Sequence, residues 1–374
     1  MTRMKDSIRR LRLLGLLLAL VLLVAACGDD DDVADDNGDD NDVESPDDDL
    51  DDDADAEADA DDEAADDDAA AEAEFELIVG HQLETGTPFD EGLHEFAELV
   101  EEKTDGRVVA SVHPNAEVGS ELEMFEGLAD GTVDGAIVAP GSIAEFVPET
   151  NILSLPFLVN SREARDQVLE SDGIEQIEDQ ILQAGGGEVL GYFGGGIRNM
   201  FFTDPVDDAD DMSGRLLRVQ PSPVLTDSFS AIGLEPTVVD YAELYNALEQ
   251  GVVDGAENES VYVESQRFYE PAPYLVMTQH EVTFRPFVFS EMRLMEMPED
   301  LADLVREAGA EASQYARDVE AEEDDAALER VQDEGAEILE IDTEPLEEQV
   351  TPVWEDYAGE WGMEDFLQEI MDLR

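Results

Sequence analysis

The chain has 374 residues and a formal net charge of −79 at pH 7, because 98 acidic residues outnumber 19 lysines and arginines. Nucleic acid is therefore an unsuitable partner, since its phosphates would meet a strongly negative surface, and the single cysteine excludes a disulfide within the chain. An organic anion could bind only where the few cations are concentrated, so each arginine is a candidate site residue.

The first 27 residues predict a signal peptide with a lipid-attachment site. Five basic residues lie before or at the start of an apolar run at 11–26, which is short for a membrane span and typical of a secretory signal. The run ends in Val-Ala-Ala-Cys at 24–27, which resembles a bacterial lipobox. We therefore expect Cys27 to be acylated and to anchor the protein outside the cytoplasm. The alternative is an ordinary A-x-A cleavage site beside an incidental cysteine.

Residues 28–74 predict a disordered tether between that anchor and the folded part. From 29 to 74 the chain is mostly Asp and Ala and contains no lysine, arginine or aromatic residue. Such a segment cannot bury enough apolar surface to offset the entropy lost on ordering. Calcium binding by the aspartates is the alternative, but the segment has no D-x-[DN]-x-[DN]-G loop with a closing glutamate.

The part predicted to fold, from Phe75 onward, is itself strongly acidic. It contains 70 acidic residues against 14 lysines and arginines, which leaves a formal charge of −56. Repulsion between these charges destabilises a compact state in dilute buffer, and salt screens it. We therefore expect the protein to come from a salt-adapted organism.

From Phe75 the chain alternates predicted strands with predicted helices. Up to residue 193, the predicted strands are 75–80, 107–113, 133–138 and 188–193, and the helices are 90–103, 120–131, one from 161 and one ending at 185. From residue 204 onward, the predicted strands are 215–219, 253–257, 274–278 and 287–290, and the helices are 222–232, 241–250, 259–269, 298–339 and 363–374. This alternation predicts an α/β class with largely parallel sheets.

A nine-residue pattern occurs twice, 120 positions apart. Leu128-Ala-Asp-Gly-Thr-Val-Asp-Gly-Ala136 is echoed by Leu248-Glu-Gln-Gly-Val-Val-Asp-Gly-Ala256, and both copies indicate a helix end, a glycine and a strand. The spacing is far too long for a solenoid repeat and suits two similarly built α/β lobes. Two lobes imply a cleft, where small molecules bind.

Several motifs together resemble the solute-binding subunit of tripartite ATP-independent periplasmic (TRAP) transporters, the DctP family. The resemblance covers about residues 75–373, and its chief pieces are Val118-Gly-Ser-Glu121, Leu155-Pro-Phe157, Gly196-Ile-Arg198, Met212-Ser-Gly-Arg-Leu-Leu-Arg218-Val219, Gly251-Val-Val-Asp-Gly-Ala-Glu257-Asn258 and Phe268-Tyr269-Glu270. The chain departs from the family pattern at Gln220, where proline commonly stands, and at 215–217, where lysine is frequent. Neither departure affects Arg218.

The resemblance implies a two-lobed α/β fold, like that of periplasmic binding proteins, with a ligand cleft between the lobes. Hinge strands and a long helix would join the lobes. Lobe one would comprise 75–195 and about 284–320, lobe two 196–283, the long helix about 298–339 and C-terminal helices 340–374. The resemblance also implies a monomer without cofactor or enzymatic activity. Such a protein captures an organic acid and delivers it to a TRAP membrane permease.

Arg218 is the strongest candidate for a ligand-binding residue. In the family the arginine of this motif forms a bidentate pair with the ligand carboxylate, and a guanidinium matches two carboxylate oxygens as lysine cannot. Side chains alternate along a strand, so Arg215 and Arg218 face opposite ways. We therefore expect only Arg218 to face the cleft and Arg215 to form a surface salt bridge. The alternative for Arg218 is that it, too, forms only a surface salt bridge.

Five further residues are candidates, each with a plainer alternative. The resemblance implies that Arg198 and Asn258 contact the ligand. The alternative for Arg198 is a structural ion pair, and the alternative for Asn258 is a turn at the end of a strand. Glu121 could face the cleft or merely favour its helix N-terminus, Gln82 could donate to the ligand, and Tyr241 could pack on the ligand or in the core. The glycines at 194–196 do not form a dinucleotide motif, and the four histidines lack metal-ligand spacing.

Two other functions remain as alternatives. A related binding protein could report to a sensory receptor, and neighbouring genes for two membrane subunits would favour transport instead. An anchored hydrolase would need a nucleophile with its base, but the chain has no G-x-S-x-G motif and its only cysteine is expected to carry lipid. The ligand could be a dicarboxylate, sugar acid, keto acid or hydroxy acid.

Overall fold

The computed structural model describes residues 73–185 and 187–374. The predicted signal peptide, Cys27 and nearly all of the tether lie outside the described residues. Within the described residues, no helix is long and apolar enough to cross a membrane.

The described residues form eleven strands, three of which the sequence did not predict. In chain order they are β1 Phe75–Gly80, β2 Val108–His113, β3 Gly135–Ile137, β4 Gly187–Phe193, β5 Ile197–Phe202, β6 Leu216–Val219, β7 Glu235–Val238, β8 Gly255–Glu259, β9 Tyr274–Val282, β10 Arg285–Ser290 and β11 Glu337–Leu339. Strands β5, β7 and β11 are the unpredicted ones, and β11 falls in the stretch predicted to be helical. The strand expected at 274–278 continues to Val282.

Twelve α-helices and three short 3-10 helices pack around these strands in the described ranges. The α-helices are α1 Pro88–Lys103, α2 Glu121–Asp130, α3 Pro140–Ile143, α4 Arg162–Leu169, α5 Asp172–Gly185, α6 Pro223–Ala231, α7 Leu244–Glu249, α8 Ser260–Ser265, α9 Glu291–Glu296, α10 Glu299–Asp333, α11 Glu344–Trp361 and α12 Glu364–Leu373. The 3-10 helices are Pro148–Ser154, Ala209–Met212 and Tyr241–Glu243.

The strands form two mixed sheets, one in each lobe. The first has the order β2-β1-β3-β10-β4, and the second has the order β11-β9-β5-β8-β6-β7. The prediction of largely parallel sheets is wrong in part, because β10 is antiparallel to β3 and β4 while β5 is antiparallel to β8 and β9. Both strands begin just after the chain has crossed from the other sheet.

The repeated pattern builds equivalent corners in the two sheets. Its glycines, Gly131 and Gly251, have left-handed φ values of 78° and 68°, which glycine adopts without steric cost. The aspartate of each copy then bridges a neighbouring strand: Asp134 Oδ2 accepts from Ile78 N at 2.8 Å, and Asp254 Oδ2 accepts from Leu216 N at 2.8 Å. These two aspartates are therefore structural in both copies.

The long helix α10 crosses both lobes. It packs against α1 and β4 of the first lobe and against α8 of the second. The prediction placed its end near Leu339, but it ends at Asp333, because Gly335 takes a left-handed φ of 110° and the chain continues as strand β11. Two predicted helices are also shorter: 259–269 is helical only as α8, and 241–250 begins as a 3-10 turn.

Acidic side chains of α10 hold the crossing between β4 and β5. Glu320 Oε2 accepts from Gly195 N at 2.9 Å, and Asp324 Oδ2 accepts from Ile197 N at 3.0 Å. Asp324 Oδ1 also accepts from Val261 N at 3.1 Å, at the start of α8. Helix α10 therefore fixes two elements of lobe two, the start of strand β5 and the start of helix α8. The neighbours of α8 reach the cleft.

Candidate functional site

A cavity of about 290 Å³ opens between the two lobes. Lobe one contributes residues after β1, from α1 and α2, and from the start of β10, while lobe two contributes β5, β6, β8, α8 and the segment before α7. The cavity is lined by Gln82, Leu83, Phe89, Ser120, Glu121, Leu122, Ser142, Arg198, Arg218, Gln220, Pro221, Asp240, Tyr241, Asn258, Glu259, Tyr262 and Arg285.

All six residues predicted to bind ligand lie on this cavity wall. They are Gln82, Glu121, Arg198, Arg218, Tyr241 and Asn258. They come from positions as far apart as 82 and 258, and the fold brings them together because the strand ends of both sheets meet at the cleft. Their surroundings differ, however, and so does what each could do for a ligand.

Arg218 is a buried cation on the cavity wall with few partners. Its side chain is 4% exposed, its Nε donates to Val239 O at 2.9 Å, and its guanidinium lies 5.6 Å from the centre of the Tyr241 ring. Among the described residues it forms no ion pair, and burial lowers its pKa. A carboxylate entering the cavity would supply the missing counter-charge.

Arg215 faces away from the cavity, as the strand period predicts. Its guanidinium donates to three backbone carbonyls, those of Asp204, Pro205 and Asp211, at 2.6–2.9 Å. Among the described residues Arg215 has no carboxylate partner, so the expected surface salt bridge is wrong. The loop before β6 offers backbone oxygens closer than any acidic side chain.

Arg198 also lines the cavity, but two buried carboxylates hold it. Its Nε donates to Glu257 Oε2 at 2.5 Å, its Nη1 to Glu259 Oε2 at 2.6 Å, and its Nη2 to the Glu257 carbonyl at 3.0 Å. Burial alone would raise the pKa of Glu257, but Arg198 and a hydrogen bond with His280 lower it to about 2. Arg198 therefore has a structural partnership in addition to its position on the wall.

Asn258 and Tyr241 form a polar pair beside Arg218. Asn258 Nδ2 donates to Tyr241 Oη at 3.2 Å, and the Tyr241 ring packs edge-on against Phe268 at 5.8 Å. Both predicted roles of Tyr241, facing the cleft and packing in the core, are thus compatible. The Asn258 amide oxygen can still accept a hydrogen bond.

Lobe one contributes Glu121 and Gln82 to the wall. Glu121 Oε2 accepts from Ala139 N at 3.1 Å and from Ser142 Oγ at 2.9 Å, and burial raises the pKa of this carboxyl. Gln82 is exposed and lies two residues beyond the end of β1. Glu121 is therefore more than a helix-start acid, because it ties α2 to α3 below the cavity.

Sequence reasoning missed seven polar residues on the wall: Ser120, Ser142, Gln220, Asp240, Glu259, Tyr262 and Arg285. Strict alternation would turn Glu259 away from Asn258, but β8 ends at Glu259 and α8 begins at Ser260, so the backbone turns there. Arg285 could have been found, because it is a lone charge in an otherwise apolar run at 284–289.

Comparisons with known proteins agree on one family. The profile of "Bacterial extracellular solute-binding protein, family 7" (DctP) matches residues 79–360. A solute-binding protein of Sulfitobacter sp. strain NAS-14.1 is 36% identical over 303 residues, which cover 80% of this chain and 92% of that protein.

Two solved structures are similar along nearly their whole length. A TRAP periplasmic solute-binding protein from Sulfitobacter sp. NAS-14.1, with bound α-D-taluronate, has a TM-score of 0.75 and 35% identity, and the match covers 80% of this chain and 97% of that one. A TRAP periplasmic solute-binding protein from Chromohalobacter salexigens, with bound D-glucuronate, has a TM-score of 0.76 and 28% identity, with 80% and 100% covered.

Proposed function

Because the chain belongs to bacterial extracellular solute-binding protein family 7, the DctP family of TRAP transporters, we propose that it captures a hexuronate outside the cytoplasm and delivers it to a TRAP permease. The family consists of transport proteins rather than enzymes. A hexuronate is a sugar acid with one carboxylate and several hydroxyl groups.

The observation that carries this proposal is the buried, unpaired guanidinium of Arg218. Arg215 also lacks a carboxylate partner in the described structure, but it donates to three backbone carbonyls, whereas Arg218 donates to one. Burying the Arg218 cation with so few partners is costly unless a ligand supplies the rest. Its planar fork can hold both oxygens of a carboxylate. Asn258 and Tyr241 lie beside it and can fix the orientation of the bound acid.

The hexuronate class is supported by the relatives and by the cavity wall. The two similar structures hold taluronate and glucuronate. The wall also carries amide, hydroxyl and carboxylate groups, which suit the hydroxyls of a sugar acid. A plain dicarboxylate would use these groups less well.

We also propose that the protein is a lipid-anchored monomer that performs no chemistry on its ligand. Acylation of Cys27 and the acidic tether at 28–74 would keep the binding domain close to the permease. A receptor as the partner remains the alternative. Bound hexuronate recovered after long incubation should give an unchanged NMR spectrum.

A thermal-shift screen at high salt tests the proposal. D-glucuronate and D-galacturonate should raise the melting temperature in proportion to log concentration, since ligand at 100 times Kd stabilises by about 2.7 kcal/mol. The matched neutral sugars, D-glucose and D-galactose, should have no effect. Equal shifts with the neutral sugars, or none with any organic acid, would show that the proposed function is wrong.

A further inference from the structure

Two buried polar atoms on the cavity wall have no hydrogen-bond partner in the described structure. They are Glu259 Oε1 and Tyr262 Oη, and their residues are 1% and 4% exposed. Buried polar groups in folded proteins are nearly always hydrogen-bonded, so each unpartnered one requires an explanation. Because both residues line the cavity, a ligand is the natural partner for them.

The carboxylate of Glu259 is fixed in orientation. Its other oxygen, Oε2, accepts from Arg198 Nη1 at 2.6 Å. The next cation, Arg285 Nη2, lies 3.9 Å from Oε1, which is beyond hydrogen-bond distance. Arg198 therefore holds one oxygen of Glu259 and leaves the other free.

The Tyr262 hydroxyl is also held in place from the opposite lobe. Its ring packs edge-on against Phe89 of α1, with the ring centres 6.1 Å apart. Tyr262 lies on α8, whose first turn is held by Asp324 through Val261 N. The hydroxyl therefore projects from a rigid element at the junction of the lobes.

The chemistry of these atoms specifies the kind of ligand group that they can bind. A carboxylate oxygen only accepts hydrogen bonds, whereas a tyrosine hydroxyl donates and accepts. The matching ligand group is thus an O–H group. The cation nearest to Glu259 Oε1 is Arg285, whose charge is already offset by Glu121, Glu259 and Glu320. A second ligand carboxylate against Oε1 would therefore be repelled by Glu259 itself.

We infer that Glu259 and Tyr262 bind hydroxyl groups of the ligand and select a polyhydroxylated monocarboxylate over a dicarboxylate. This inference rests on the proposed function, and it adds a selection step to the carboxylate anchor at Arg218. Arg198 then acts as a positioning residue for Glu259.

Titration calorimetry of Glu259→Gln and Tyr262→Phe tests this inference with D-glucuronate and D-glucarate. Glucarate has the same hydroxyls but a carboxylate at each end. The unaltered protein should prefer glucuronate, and Glu259→Gln should reduce that preference about tenfold or more by removing the repelling charge. Tyr262→Phe keeps the ring packing and should weaken glucuronate binding about three- to tenfold at an unchanged melting temperature.

Glu257→Gln is the matched control, because Glu257 also pairs with Arg198 but does not line the cavity. It should keep the preference for glucuronate. If Glu257→Gln changes the preference as much as Glu259→Gln does, Glu259 acts only through Arg198 and the inference is wrong.

The outcomes also separate this inference from the proposed function. Equal affinity of the unaltered protein for glucuronate and glucarate would refute the selection step and leave carboxylate capture intact. Failure to bind any organic acid would refute both. If Glu259→Gln does not fold, Tyr262→Phe decides, and undiminished glucuronate binding by that variant overturns the inference.

Discussion

The arginines on the cavity wall differ in their partners. Arg198 is paired with Glu257 and Glu259, whereas Arg218 has no carboxylate partner among the described residues. Removing Arg198 would leave Glu259 without a hydrogen-bonded partner and Glu257 with His280 alone, which would destabilise the fold. Removing Arg218 would instead remove a buried charge that has no ion-pair partner among the described residues.

Glu320 should make the stability of the fold depend on pH. Burial, together with the nearby charges of Glu259 and Asp324, raises its pKa from 4.5 to about 8. The folded state therefore binds a proton that the unfolded state releases, so the stability from this group is full below pH 4.5 and is lost as the pH rises to about 8.

Glu320→Gln should remove that loss. Urea unfolding at constant high salt should give similar stabilities for both proteins at pH 5. At pH 9 the variant should be more stable by roughly 2–5 kcal/mol. The same decline with pH in the variant and in the unaltered protein would refute the assignment to Glu320.

At the scale of elements, Asp324 of α10 braces both the start of β5 and the start of α8. Asp324→Ala would leave the backbone N–H groups of Ile197 and Val261 without partners, and we expect a loss of roughly 2–4 kcal/mol in unfolding free energy. The neighbouring Asp325→Ala removes only an exposed pair with Arg162 and should cost about 1 kcal/mol or less. Equal losses for the two variants, measured by urea unfolding, would contradict the bracing role.

The local elements of the fold could be predicted from the sequence, but their pairing could not. Helix α2 begins at a capping box formed by Ser120 and Glu123 and ends at Gly131, and both are local sequence signals. The local pattern did not predict strand β5, which follows three glycines. It also did not predict α11 as one continuous helix, because α11 contains Pro352. Antiparallel entry of β5 and β10 depends on contacts distant in sequence.

The candidate site was partly predictable for the same reason. Arg218 and Asn258 stand in motifs, so a family resemblance locates them. Glu259 and Tyr262 are found only once the turn from β8 into α8 and the packing on Phe89 are known. The equivalence of the two repeat copies was visible in sequence, but the bridging role of their aspartates required the paired strands.

At the scale of the whole molecule, charge should make stability depend on salt. The part from Phe75 onward carries a formal charge of −56, and its self-repulsion is screened as the Debye length falls. The urea midpoint should therefore rise between ~10 mM and ~2 M sodium chloride. Sodium chloride is used rather than a sulfate salt, because sulfate stabilises folded proteins in general by being excluded from their surface. An unchanged midpoint would contradict salt adaptation.

The central claim is that Arg218 holds the carboxylate of a captured organic acid. Titration calorimetry with D-glucuronate at high salt should show that Arg218→Ala loses roughly 2–5 kcal/mol of binding free energy, as expected for one half of a buried charge pair. Arg215→Ala, which removes the arginine on the opposite side of the same strand segment, should bind normally. Near-native affinity in Arg218→Ala, or an equal loss in Arg215→Ala, would contradict the claim.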